Sequence, residues 1–209
     1  AEEVAYQAII DEVVRENMRR YNQEKAIVYN TLQMYRWDRL DFLRQEVETA
    51  RKEGYVFGVK FVRGAYMEKE RAWAEMYGYT DPIQPDKEST DRDYDAALKY
   101  SVENINHVAI FNGTHNETSS RYLTELMEQH KIDKDDPRCY FSQLYGMSDH
   151  ISFNLAHHGY RVAKYLPYGP VKNVMPYLIR RAEENTAVAG QTNLELRLIT
   201  KELKRRKSK

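Results

Sequence analysis

The chain has 209 residues with 32 basic against 32 acidic side chains, which suits one domain and excludes a bulk electrostatic draw to nucleic acid or to an anionic membrane. Its single cysteine, Cys139, excludes an internal disulfide framework and fits a reducing compartment. No apolar run approaches the roughly 20 residues of a membrane span, no signal peptide is evident, and the first residue is Ala rather than Met, so a processed chain and a piece of a longer one are both open.

In chain order, Ala1–Tyr21 reads as a helix, with Ile9, Ile10, Val13, Val14 and Met18 at helical spacing. Lys25–Gln33 reads as a strand and Trp37–Lys52 as a helix stopped at Gly54. Val56–Val62 is the next strand, followed by a charged helix over Met67–Tyr77. The segment "GYTDPIQPDKEST" then reads as a loop, because its two prolines forbid a regular element. Helix Asp91–Glu103, strand His107–Asn112, helix Glu117–His130, strand Arg138–Leu144 and helix Ser148–His158 follow. Strand Arg161–Leu166, helix Pro170–Asn185 and a last helix Leu194–Arg205 with a basic tail complete the pattern.

Five strands each lead into a helix, which predicts a parallel sheet with helical crossovers. The strands are short apolar runs, as expected where both faces are covered, and their polar residues gather at the C-terminal tips. Chemistry belongs at those tips in a (β/α)8 barrel and in an open doubly wound sheet alike. The absence of G-x-G-x-x-G weakens the dinucleotide-binding open sheet. A full barrel takes roughly 250 residues, about 30 per unit. The expected fold is therefore an α/β, TIM-like (β/α)8 barrel, present as an incomplete part of about five units.

Three stretches could carry chemistry. In "PYLIRRAEEN", Tyr177, Arg180, Arg181 and Glu184 fall within about 100° of one helical face. That face is either a solvated surface with Arg180–Glu184 pairing or a clamp for a carboxylate or phosphate. "GTHNE" (113–117) is either a helix cap or a hydrogen-bonding group at the mouth. "VKFVRGAY" (59–66) ends in Gly64–Ala65, either a tight turn or a close backbone approach to a flat ligand, and Lys60 points into the barrel or the helix layer and needs a partner. Cys139 reads as packed strand. The histidines lack a trustworthy ligand spacing, and no metal site is expected.

"GVKFVRGAY", "DPIQP", "THNE", "QLYGMSD", "KYLPYGPV" and "YLIRRAEENT", in this order, resemble proline dehydrogenase, the flavin-dependent (β/α)8 family, and most closely its monofunctional members. The resemblance implies oxidation of L-proline to Δ1-pyrroline-5-carboxylate with FAD, electrons passing on to a quinone. It implies a cytoplasmic or peripheral inner-membrane location in a bacterium and a mitochondrial one in a eukaryote. Residues 1–209 would be the C-terminal five-eighths of the barrel plus a final helix, with three strands upstream and an active-site aspartate and a substrate-contacting lysine on that missing N-terminal barrel segment. The 209-residue chain alone is accordingly expected to be inactive.

By the same resemblance, Arg180 and Arg181 would pair with the proline carboxylate, Tyr165 and Tyr177 would pack the ring, Tyr177 or Glu184 would help fix the arginines, Leu144 would line the pocket and Tyr66 would help close it. Gln33, Lys60, Val62, Gly64 and Ala65 would meet the flavin. Thr114, His115 and Asn116 would hold its ring or ribityl–phosphate tail, and Lys87 and Thr90 would cover its far end. Many bacterial members carry arginine where this chain has Lys60. From the residues alone, two other readings stay open: a non-flavin barrel enzyme for a carboxylate or phosphate, and a barrel piece with a structural role only.

Overall fold

The structure is a computed structural model; it describes residues 2–187 and 189–207, and at 180–195 the backbone alone. The elements run α1 (Val4–Tyr21), β1 (Asn30–Gln33), α2 (Arg39–Glu53), β2 (Phe57–Val62), α3 (Met67–Tyr77), α4 (Lys87–Glu103) and β3 (Val108–Gly113). They continue with α5 (Glu117–Gln129), β4 (Cys139–Leu144), α6 (Asp149–His157), β5 (Val162–Tyr165), α7 (Val171–Ala187) and α8 (Ala189–Lys207). The five strands form one parallel sheet in sequence order.

Alternation along the strands decides which side is packed. Leu32, Val59, Phe61, Ile110, Cys139 and Phe141 are fully buried and form the core with Leu43, Val47, Ala97, Leu98 and Leu123 of α2, α4 and α5. Burying each such large side chain contributes roughly 1.5–3 kcal/mol. The opposite row, Thr31, Lys60, Phe111 and Tyr140, is paired in register across β1–β4 and is only half-buried. Burial has pushed the Cys139 thiol up to about 12, as expected for a packed strand residue.

Three element starts differ from the sequence expectation by four residues or more. The strand expected over 25–33 begins only at Asn30, because the N–H groups of Ile27 and Val28 donate to the Asn22 side-chain oxygen, each at 2.9 Å, rather than to a neighbouring strand. Asn22 is itself fully buried, and its Nδ2 donates to the carbonyls of Val28 and Val56 at 2.8 and 2.9 Å. Helix α4 begins at Lys87, four residues ahead of the expected Asp91, because Asp86 accepts the Ser89 N–H at 2.6 Å and caps the first turn. Helix α8 starts earlier than the expected Leu194; Ala189 is a strong helix former, and Gly190 costs only about 1 kcal/mol within a helix.

Candidate functional site

The strand tips build the site. On the open face of the sheet a cleft of about 370 Å³ is lined by Tyr29, Thr31, Lys60, Phe111, Ser142, Ala163, Lys164 and Tyr165. Lys60 is its central charge. Its stem crosses Gly113, where a Cβ would lie 3.0 Å from Lys60 Cε and 2.9 Å from the Phe61 carbonyl oxygen. Its ammonium lies 5.9 Å from the Tyr165 ring centroid. Among the described residues no carboxylate pairs with it, and burial alone pushes its pKa below the ordinary lysine value. Lys164, by contrast, has partners within the chain. Its ammonium donates to the Met147 carbonyl at 2.9 Å, Asp149 at 2.8 Å and Ser152 Oγ at 2.9 Å, so it fastens α6 to β5.

At the rim, Tyr165 meets Tyr177 of α7 edge-to-face with ring centroids 5.8 Å apart, which brings α7 to the β5 tip. Leu144 is buried at the end of β4 and is paired in register with Tyr165. Arg180, Arg181 and Glu184 lie on the helical backbone of α7; their side chains, and with them the expected Arg180–Glu184 pairing, lie outside the described residues.

The β1 and β2 tips form a second group. Gln33 is paired with Val62 in register, its Nε2 donates to the Glu2 carbonyl at 2.8 Å, and its Oε1 accepts the Ala65 N–H at 3.4 Å. Gly64 is at φ +142°, and a Cβ there would fall 2.4 Å from the Tyr35 ring, so both conformation and space demand glycine. Tyr66 is half-buried at the start of α3.

The β3 tip shows cap chemistry together with site placement. Asn116 caps α5 by accepting the Ser119 N–H at 3.0 Å. Thr114 is buried, and its Oγ1 accepts from Asn116 N–H at 3.1 Å and from Arg63 Nη1 at 2.7 Å. His115 Nδ1 lies 3.0 Å from Ser148 Oγ. Farther out, Lys87 is exposed and pairs with Asp91, and buried Thr90 donates to the Asp86 carbonyl at 3.2 Å.

Lys60, Leu144, Tyr165 and Tyr177 therefore gather at one end of the open face, with Gln33, Val62, Gly64, Ala65 and the Thr114–Asn116 turn along the adjoining rim. Lys87 and Thr90 belong to the first turn of α4 instead. Tyr29, Thr31, Phe111 and Ser142 line the cleft without having been singled out from sequence. Period-two alternation away from an inward Lys60 would have found Phe111 and Ser142 once the register was known. Arg63 stands among the polar residues of the β2 tip in the sequence, but the sequence assigns it no role.

A family model for proline dehydrogenase matches residues 1–194. The chain is 44% identical over 209 residues to human "Proline dehydrogenase 1, mitochondrial", covering 99% of this chain and 35% of that protein. It is 41% identical over 211 residues to the Caenorhabditis elegans protein of the same name, covering 99% and 34%. The chain thus spans about a third of these relatives' length. Among solved structures, proline utilization A from Bdellovibrio bacteriovorus inactivated by N-propargylglycine superimposes with a TM-score of 0.83 at 30% identity, covering 88% of this chain and 19% of that one. With strand order, tip motifs and relatives in agreement, this chain belongs to the proline dehydrogenase family.

Proposed function

We propose that this chain is the C-terminal five-eighths of a (β/α)8 barrel and carries most of the site of a flavin-dependent proline dehydrogenase, which oxidises L-proline to Δ1-pyrroline-5-carboxylate. The observation that carries the reading is Lys60: a half-buried ammonium on the open face, without a carboxylate partner among the described residues, beside an aromatic pair at the rim. A cation left in such a place calls for an electron-rich partner from outside the chain.

The residues fit FAD. Gly113 lets the Lys60 stem and Val62 pack against the β3 backbone, and the cleft that Lys60 faces is lined by Tyr29, Phe111 and Tyr165, which suits a flat, electron-rich ring. Gln33, Lys60, Val62, Gly64 and Ala65 would line its edge, Thr114, His115 and Asn116 would hold the ring or its tail, and Lys87 and Thr90 would lie toward the far end. When bound, FAD supplies a two-electron hydride acceptor. The chain's own part is binding and orientation. Arg180 and Arg181 follow Tyr177 by three and four residues on α7, as one helical face requires, and would grip the proline carboxylate as paired guanidinium forks. Glu184 would align them. Tyr165, Tyr177 and Leu144 would bury the pyrrolidine ring and exclude water, and Tyr66 would close the pocket, holding the reacting carbon at near-attack distance. Electrons would leave to a quinone, through peripheral contact with a membrane. The mitochondrial names of the eukaryotic relatives support an organellar setting if the source is eukaryotic.

Two measurements on the full-length protein test this. A flavin absorption spectrum that bleaches on adding L-proline is expected, and a colourless protein that takes up no FAD would sink the reading. Arg180→Ala or Arg181→Ala is expected to raise the proline KM by about 10- to 100-fold, the loss of a charge-assisted hydrogen bond; an unmoved KM would remove the carboxylate clamp.

A further inference from the structure

Arg63 follows β2 directly and, by alternation from Lys60 and Val62, turns to the helix side of the sheet, out of the cleft. Its three guanidinium nitrogens each donate to a different element. Nε reaches Asp91 of α4 at 2.7 Å, Nη1 reaches Thr114 Oγ1 at the β3 tip at 2.7 Å, and Nη2 reaches Ser119 Oγ of α5 at 3.0 Å. The guanidinium lies over the Tyr94 ring at 4.4 Å, and Tyr94 is locked from below by its hydroxyl donating to Asn112 Oδ1 at 2.6 Å. Ser119 Oγ in turn donates to Asp95 at 2.7 Å.

We propose that Arg63 is the positioning residue of the cofactor-holding turn: without touching the ligand, its fork fixes Thr114–Asn116 against α4 and α5 and so sets FAD affinity. The inference rests on the flavin reading above and adds a residue to it. The turn is held from both sides, since the Thr114 carbonyl also accepts from Gln143 Nε2 at 3.1 Å. Asp91 accepts from Arg63 and from Lys87, so the start of α4 and the β3 turn share one charge chain through this guanidinium. Lysine could keep the charge, but a single ammonium on a flexible stem cannot serve three acceptors set apart by a planar fork.

The test is titration of FAD into flavin-stripped, full-length protein, read by visible absorbance and visible circular dichroism, for wild type, Arg63→Lys, Thr114→Val and the double variant. Arg63→Lys is expected to weaken FAD binding about tenfold and to change the visible circular dichroism of the bound flavin. On the Thr114→Val background it is expected to add less than about twofold, because the two residues act as one unit. Wild-type affinity in Arg63→Lys, or additive losses with an unchanged flavin spectrum, overturns the proposal. Should Arg63→Lys not fold, Ser119→Ala deletes only one of the three acceptors: about threefold weaker binding is expected, and unchanged binding overturns the proposal. A wild-type protein that takes up no FAD overturns both the functional reading and this inference, whereas tight wild-type binding with indifferent variants overturns this inference alone.

Discussion

The two faces of the sheet are built to opposite rules. The helix-facing side is filled by Leu32, Val59, Phe61, Ile110 and Phe141, all fully buried, and Asn22 beside it is tied in by four hydrogen bonds. The open side carries Thr31, Lys60, Phe111 and Tyr140, half-buried, with a cation that no described carboxylate neutralises. Adjacent residues of one strand, Lys60 and Phe61, thus belong to different economies. Close packing on one side gives stability, and a cost left standing on the other gives a place for a ligand.

The contrast makes the largest prediction concern Phe61. Phe61→Ala should destabilise the flavin-free protein by about 3–5 kcal/mol, measured by urea unfolding, whereas Lys60→Met one residue away should not destabilise it at all; equal losses would dissolve the distinction between the faces. Next, Asn22→Ala should cost about 2–4 kcal/mol, since it removes four hydrogen bonds to part-buried backbone groups; a loss below about 1 kcal/mol would show that water or relaxation replaces them.

A smaller effect is expected in the pH dependence of Lys60. Its folded pKa lies below the ordinary 10.5, so the unfolded chain binds the proton more tightly. At low pH both states are protonated and the fold carries the cost of a buried charge. Stability should therefore rise with pH as the folded pKa is passed, and the cost should be gone above 10.5. Lys60→Met should be more stable than wild type below that window and converge with it above. A constant difference across the window would mean that Lys60 is not desolvated. The smallest expected signal is chemical: the Cys139 thiol, raised to about 12, should resist a thiol reagent at pH 8 until the protein unfolds, and prompt labelling of the native protein would open the packed side to doubt.

Much of the architecture was legible locally. The αL caps at Gly54 and Gly78 end α2 and α3 where the helical pattern stops. The late start of β1 was not, because its cause is the side chain of Asn22, just past α1, capturing strand donors. The start of α4 could have been read from Asp86 and Ser89, a capping pair masked by the two prolines before it. Of the expected site residues, the clustering of Lys60, Tyr165 and Tyr177 came from motif order, and the Asn116 cap was one of the two readings the sequence left open for its stretch, while the role of Thr114 as acceptor for Arg63 needed coordinates.

By itself the sequence determined the alternation of strand and helix, the parallel sheet, the buried cysteine and the family, because periodicity and motif order are properties of neighbouring residues. Only the tertiary structure decided that Lys60 faces the open cleft rather than the helices, and that Arg63 joins three elements. Arg63's partners lie 28, 51 and 56 residues away along the chain. Contacts of that span are set by how the whole sheet closes, which no local pattern encodes.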